Sequence, residues 1–273
     1  MHLDLRNPQS EHDTATVDLP ASQFHLTYVG HATTLLEMEG VRILTDPVLR
    51  DRIAHLGRHA PPIQPDWHDR VDAVLISHAH WDHLDLPSLR RLSPTTRLIV
   101  PAGAGQILRH LGRDRVDELR PGQLTRVGPV EVEATPANHS GFRPPFGPPA
   151  SHVGFIIRGD QRVYFAGDTD LFPEMAGLTQ DLTLALLPVW GWGPTLGEGH
   201  LNPERAAEAL TLLQPRFAMP IHWGTLCPIG MRWTRPRFLV EPPHEFAAHA
   251  ARLAPEVTVR IVEPGDSPGG STR

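Results

Sequence analysis

The chain has 273 residues, 40% apolar and 21% charged, which is long enough for a buried core and too hydrophobic for a disordered chain. Its 25 basic residues are all arginine, against 31 acidic ones, for a formal net charge of −6. That balance argues against nucleic acid as a general partner, and the lack of lysine excludes Schiff-base, P-loop and kinase-type lysine chemistry.

In chain order, residues 1–22 are polar and aperiodic and are expected to form a loose arm. Residues 25–44 predict hairpin strands: Leu26 and Tyr28, then 33–38, a turn at Glu39-Gly40, and 41–44. Asp46-Pro47 ends them. Residues 50–70 hold Pro61, Pro62 and Pro65 and are expected to be a long loop. The apolar run VDAVLIS at 71–77 predicts a strand buried on both faces. A helix is expected over 86–92, a strand over 97–100, and a helix over 104–111 closed by Gly112.

A β-rich block follows, with strands at 123–127 and 130–134 flanking Gly128-Pro129, and at 153–158 and 162–165 flanking Gly159-Asp160. Residues 183–187 predict a buried strand. Asn202-Pro203 predicts a helix start, because Asn caps well and Pro suits the first turn. A strand at 217–221, a helix at 245–253 and a strand at 257–262 complete the series. The Gly/Ser/Pro-rich end from 265 to 273 is expected to be a disordered tail. Residues 23–264 are therefore expected to form one domain of two packed sheets covered by helices.

No apolar run of signal-peptide length opens the sequence. The longest apolar stretch, residues 184–190, contains Pro188 and is too short to span a bilayer. A single cysteine, Cys227, excludes an internal disulfide and a Cys-rich zinc module. The expectation is a soluble, cytoplasmic protein.

The chemistry concentrates in Ser77-His78-Ala79-His80-Trp81-Asp82-His83: three histidines and an aspartate within six residues, directly after a buried strand. Imidazole and carboxylate suit zinc and related divalent metals, and a turn at a strand end can aim closely spaced side chains into one cleft. Four further segments carry acid or imidazole groups: Asp46 in LTDP, His139 in TPANHSG, Asp168 in FAGDTD and His222 in MPIHWGT.

This pattern resembles the metallo-β-lactamase superfamily of metallohydrolases. The segments GHATTLLE, ILTDPVL, GDTDLFPE and GHLNPERAAEAL are similar to the branch that includes N-acyl-phosphatidylethanolamine phospholipase D and L-ascorbate-6-phosphate lactonase. The resemblance covers about residues 24–265. It implies an αββα sandwich with the metal site at the sheet edges. It also implies that His78, His80 and His139 hold one metal, that Asp82, His83 and His222 hold a second, and that Asp168 bridges them. Two divalent cations, zinc first and manganese or iron as alternatives, would then make a bridging hydroxide near neutral pH.

The resemblance places Asp46 behind the ligands, where a hydrogen bond would fix their orientation. It places His200 close to the metals, where it could protonate a leaving group. His31, in a turn at the expected site edge, is read either as touching a ligand or substrate or as a structural turn residue. Trp190 and Trp192 are read as candidate pocket walls. His55, His59 and His68 are read as surface residues of the Pro-rich loop. The implied activity is hydrolysis of an ester-like bond, phosphodiester or lactone, in a small molecule. A nuclease and a catalytically silent, metal-dependent binding protein are the alternatives.

Overall fold

The computed structural model describes residues 24–140, 142–143, 147–148, 150–178, 180–234 and 236–267. The expected arm at 1–22 lies outside them, as do residues 268–273 of the expected tail.

Sixteen strands are assigned among the described residues: β1 (His25–Gly30), β2 (Thr33–Met38), β3 (Val41–Thr45), β4 (Arg52–Ile53), β5 (Leu56–Arg58), β6 (Ala73–Leu75), β7 (Arg97–Pro101), β8 (Val116–Leu119), β9 (Leu124–Val127), β10 (Val130–Thr135), β11 (Gly154–Arg158), β12 (Arg162–Phe165), β13 (Leu184–Pro188), β14 (Phe217–Ile221), β15 (Leu226–Pro228) and β16 (Thr258–Val259). The α-helices are α1 (Leu86–Leu89), α2 (Gly105–Leu108), α3 (Pro203–Leu213) and α4 (Glu241–Leu253).

One sheet runs β1-β2-β3-β6-β7-β8 and the other β16-β14-β13-β12-β11-β10-β9. Each begins as an antiparallel meander and continues as parallel strands. The first sheet is apolar on both faces because it is covered on both. Leu36, Ile43, Leu75 and Ile99 join the cluster shared with Val132, Phe155 and Phe165 of the second sheet. Their chain neighbours Leu35, Leu44, Val74 and Leu98 belong to a separate cluster with Leu89 of α1 and Leu108 of α2. This is the two-residue alternation of a strand, with both faces buried. On the second sheet, α3 and α4 bury Ala206, Leu210, Phe246 and Ala250. The architecture is an αββα sandwich.

Several expectations need correction. Residues 52–58 are not loop: β4 and β5 form a small hairpin, and β5 pairs with β15 far along the chain. The helix expected over 86–92 is the single turn α1. The helix expected over 104–111 is α2 followed by a 3-10 turn, which Gly112 does close in the left-handed region. Strands β8 and β15 were not anticipated. Helix α4 begins four residues earlier than expected, because Pro242 and Pro243 are accommodated in its first turn. The last strand shortens to β16. Residues 265–267, expected to start a disordered tail, instead run along β1. The Gly265 N–H donates to Tyr28 O (2.6 Å), and the Tyr28 N–H donates to Asp266 O (2.9 Å).

Among the described residues, no helix is long and apolar enough to cross a membrane.

Candidate metal centre

All but one of the residues singled out for the metal site sit just past the end of a strand. His31 follows β1, Asp46 follows β3, His78 to His83 follow β6, His139 follows β10, Asp168 follows β12 and His222 follows β14. His200 lies between β13 and α3. The ends of parallel strands open onto a common edge, so this topology gathers the side chains into one cleft.

Close backbone approach makes this possible. Gly167 has φ +60°, and a Cβ there would lie 2.4 Å from the Cβ of Ser77. Only glycine lets the loop carrying Asp168 come against the histidine-rich loop. His31, Asp46 and His222 have φ of 57°, 32° and 65°. Such left-handed non-glycine residues cost on the order of 1–3 kcal/mol each. Hydrogen bonds hold them there: the His222 N–H donates to His31 O (2.7 Å), and the His31 N–H donates to Thr225 Oγ1 (2.6 Å).

The ring nitrogens tell which atoms are free. The Ser77 hydroxyl donates to Asp46 Oδ2 (2.5 Å), so its oxygen accepts from His78 Nδ1 (2.9 Å). His83 Nδ1 donates to Asp46 Oδ2 (2.7 Å). His139 Nδ1 donates to Gly199 O (2.8 Å), and His222 Nδ1 donates to Trp190 O (2.8 Å). Four rings thus commit Nδ1 outward to acceptors and turn Nε2 toward one centre. There, His83 Nε2 and His222 Nε2 are 3.1 Å apart, and His139 Nε2 is 3.3 Å from His80 Nδ1. Nitrogens this close need either a proton between them or, when both rings are neutral, a cation that takes both lone pairs.

Two atoms make the same point independently. Buried His78 Nε2 and Asp168 Oδ1 have no hydrogen-bond partner. An unsatisfied buried polar atom costs about 1–3 kcal/mol, which a bound cation would remove. Among the described residues, four overlapping groups could each hold a metal ion: His78/His80/His139, His31/Asp82/His83/His222, Asp46/His78/His83 and His139/Asp168/His200. Asp168 lies between the first two of these, with Oδ2 3.1 Å from His83 Nε2 and 3.9 Å from His78 Nε2, and Oδ1 3.2 Å from His222 Nε2. The residues present fit divalent metal.

Electrostatics agree. Burial lowers the pKa of His78, His80, His139 (to about 4) and His222 (to about 3), so these rings are neutral and keep a lone pair. His83 goes the other way: burial opposes its charge, but Asp168, Asp82 and Asp46 together raise its pKa well above the usual value. Burial would also raise the pKa of Asp82 and Asp168. The histidines around them outweigh it and hold both carboxylates ionised.

His31 is buried beside Asp82 and His222. Its Nε2 donates to Asp82 Oδ2 (3.0 Å), and its ring lies 3.9 Å from that of His222. Asp46 accepts from Ser77 N–H, Ser77 Oγ–H and His83 Nδ1, tying strand end to ligand ring.

Above the centre lies a cavity of about 700 Å³. His80, Asp82, Asp168, His200 and His222 form its floor, and Ile53, Leu56, Trp81, Trp192 and Leu196 form much of its wall. His200 Nδ1 donates to Gly197 O and Glu198 O (3.1 Å each), and its Nε2 is 3.4 Å from Asp168 Oδ2. Trp192 lines the cavity, whereas Trp190 does not: its indole N–H donates to Gly193 O, and its carbonyl holds His222. His55, read from sequence as a loop surface residue, is exposed but lines the cavity and meets Trp192 edge-on at 5.3 Å. Sequence reading also passed over Arg50, Ile53, Leu56, Trp81 and Leu196. Only Trp81 carried a signal, as a large apolar residue between ligand types.

Residues 41–223 match the family described as Beta-lactamase superfamily domain. The chain is 35% identical over 252 residues to a UPF0173 metal-dependent hydrolase of Opitutus terrae, across 89% of this chain and 98% of that one. It is 34% identical over 245 residues to an uncharacterized protein of Mycobacterium tuberculosis, across 82% of this chain and only 66% of that relative's length. It is 30% identical over 249 residues to N-acyl-phosphatidylethanolamine-hydrolyzing phospholipase D 1 of Caenorhabditis elegans, across 78% and 68% of the two chains. Among solved structures, Igni18, a metallo hydrolase from the archaeon Ignicoccus hospitalis, aligns with a TM-score of 0.67 at 26% identity, covering 89% of this chain and 97% of that one. Fold, site geometry and these likenesses agree: the chain belongs to the metallo-β-lactamase superfamily of metal-dependent hydrolases.

Proposed function

We propose that this protein is a dinuclear hydrolase that cleaves an ester-like bond, phosphodiester or lactone, in a small molecule bound in the cavity. The observation that carries the reading is the convergence of four outward-anchored rings on one centre where buried His78 Nε2 and Asp168 Oδ1 have no hydrogen-bond partner. In this reading His78, His80 and His139 hold one cation, Asp82, His83 and His222 hold the other, and Asp168 serves both. Zinc suits the N/O donor set, as do manganese and iron. Two divalent cations there would supply a low-pKa water and charge for the developing oxyanion.

The chain's own residues do the rest. His31 orients Asp82 and Asp46 orients His83. The apolar wall excludes bulk water. His200 Nε2, at the cavity floor, is placed to hand a proton to the leaving group. The phosphodiester reading draws support from the Caenorhabditis elegans relative, whose name gives phospholipase D activity. The cavity's size favours a small molecule over a nucleic acid strand.

Protein purified without chelators is expected to carry about two equivalents of metal per chain. Elemental analysis checks this, and a value near zero that Zn²⁺, Mn²⁺ and Fe²⁺ fail to restore would end the proposal. A panel of chromogenic phosphodiesters and lactones then separates the two reactions.

Asp46→Ala is expected to weaken metal binding or activity by roughly 10–100-fold. The substitution frees His83 Nδ1 and both Ser77 donors while leaving every proposed ligand in place. Titration of the metal-free variant against the wild type reads the effect. Equal affinities would make Asp46 a turn residue only.

A further inference from the structure

We propose that Arg50 forms an anion-binding corner of the cavity and that the substrate is a small amphipathic ester carrying a second, remote carboxylate or phosphate. The proposal deepens the hydrolase reading above and rests on it.

Arg50 lines the cavity and is held as few surface arginines are. Its Nε donates to Asp85 Oδ2 (2.9 Å) and its Nη2 to Asp85 Oδ1 (2.7 Å). Asp85 is fully buried. It also caps α1 by accepting the Ser88 N–H (3.1 Å), and it takes the Ser88 hydroxyl proton (2.5 Å). The Ser88 oxygen in turn accepts the Leu49 N–H (2.7 Å). This two-point fork fixes the guanidinium plane before any ligand arrives, so little freedom is lost on binding.

Two of the three guanidinium nitrogens are used in this way. Nη1 engages no described residue. Arg50 is also the single arginine among the described residues that line the cavity. The ion pair with Asp85 does not cancel its attraction. Asp85 shares its charge among four donors on the far edge, so the pair acts as an oriented dipole with its positive end free. Around it the wall is Ile53, Leu56, Trp192 and Leu196, and low local polarity strengthens a charge-assisted hydrogen bond.

Arg50 and the floor of imidazoles and carboxylates belong to one cavity of about 700 Å³. That volume lies in the range of small-molecule sites. A single small molecule can therefore set its scissile group on the floor, its apolar body against the wall and an anionic group on Arg50. A carboxylate and a phosphate offer the same paired acceptor oxygens, so the geometry assigns the charge and not the acid.

The test measures binding to the metal-loaded protein by titration calorimetry, with 4-phenylbutyrate, 3-phenylpropylphosphonate and the neutral 4-phenylbutyramide as probes. The wild type should bind at least one anion about tenfold or more tightly than the amide, the size expected for a hydrogen bond to a charged group. The paired substitution Arg50→Gln with Asp85→Asn removes the cation without leaving a buried carboxylate unpaired, and it should erase that preference. Arg50→Lys keeps a partner for Asp85 but has no second edge, so it should lose most of the preference as well. The better-bound anion identifies the acid. No preference in the wild type, or a preference that survives both substitutions, would overturn the proposal, the latter placing the anion on the metals. Because these readings need no turnover, failure to cleave any ester would count against the hydrolase reading and leave the assignment of Arg50 separately decided.

Discussion

Asp82→Asn is expected to abolish hydrolysis while leaving the protein folded. The side chain keeps its shape, and the amide oxygen can still accept from His31 Nε2, which lies 3.0 Å from Asp82 Oδ2. What disappears is a negative charge. Burial alone would raise the pKa of Asp82. The charge of His83 and the hydrogen bond and charge of His31 outweigh it, so the carboxylate is ionised and available to a cation. Without it, the second site keeps two imidazoles and a share of Asp168 but no carboxylate of its own. Metal content should fall from about two equivalents toward one. Turnover should drop by more than about 100-fold, since even residues that merely orient ligands cost up to that much. The fold should survive, because Asp82 lies in a loop beyond β6 and the sheets pack through Leu36, Ile43, Phe155 and Phe165, far larger contributors to stability. Elemental analysis, turnover and thermal unfolding measured on one preparation decide it. A variant that unfolds, as zinc fingers do without zinc, would make the cluster structural.

The contrast between the cluster and the cavity shows what sequence can and cannot reveal. His78, His80, Asp82 and His83 fall within six residues, so their convergence is local and visible as a pattern. Asp46, His139, Asp168 and His222 are far apart, yet each sits in a short segment with recognisable neighbours at a strand end, and the resemblance supplied their meeting. The two sheets were legible because their strands are apolar runs bounded by Gly, Pro or Asp. The cavity wall had no such signal. Ile53 and Leu56 belong to a hairpin of two- and three-residue strands, too short for any periodicity, and β5 is held by β15 some 170 residues later. Arg50 was unreadable for the same reason: its meaning comes from Asp85, which looks in sequence like an ordinary helix cap. Trp190 misled because residues two apart share a face of extended chain, whereas here the Trp190 indole N–H turns back to Gly193 O of its own loop.

The backbone adds a link between stability and function at the same edge. His31, Asp46 and His222 all hold left-handed φ values, and their strain is borne by hydrogen bonds that also aim the ligand rings. The Tyr28 hydroxyl, fully buried, donates to His31 O (3.0 Å) and lies 3.2 Å from Trp223 O. The turn carrying His31 and the turn carrying His222 are therefore one hydrogen-bonded unit. Packing of the first sheet against the second fixes the distance between the two halves of the site.

His200→Ala is expected to keep both metals and lose about 10²–10⁴ in kcat, the usual cost of removing a general acid. The argument rests on which ring nitrogen is available. Gly197 O and Glu198 O can only accept, so His200 Nδ1 carries a proton and is spent on the loop. Nε2 is the atom at the cavity floor, 3.4 Å from Asp168 Oδ2. An acid there meets the leaving group of any substrate whose scissile bond lies over Asp168. The loss should shrink for nitrophenyl esters, since nitrophenolate departs without a proton, and stay full for alkyl esters. Equal losses on both would mean that His200 stabilises the developing oxyanion instead. Loss of one metal equivalent would make it a ligand, an arrangement its position beside His139 and Asp168 permits. Unchanged rates on both substrates, with both metals retained, would leave His200 as a loop histidine that packs edge-on against His139 and takes no part in the reaction.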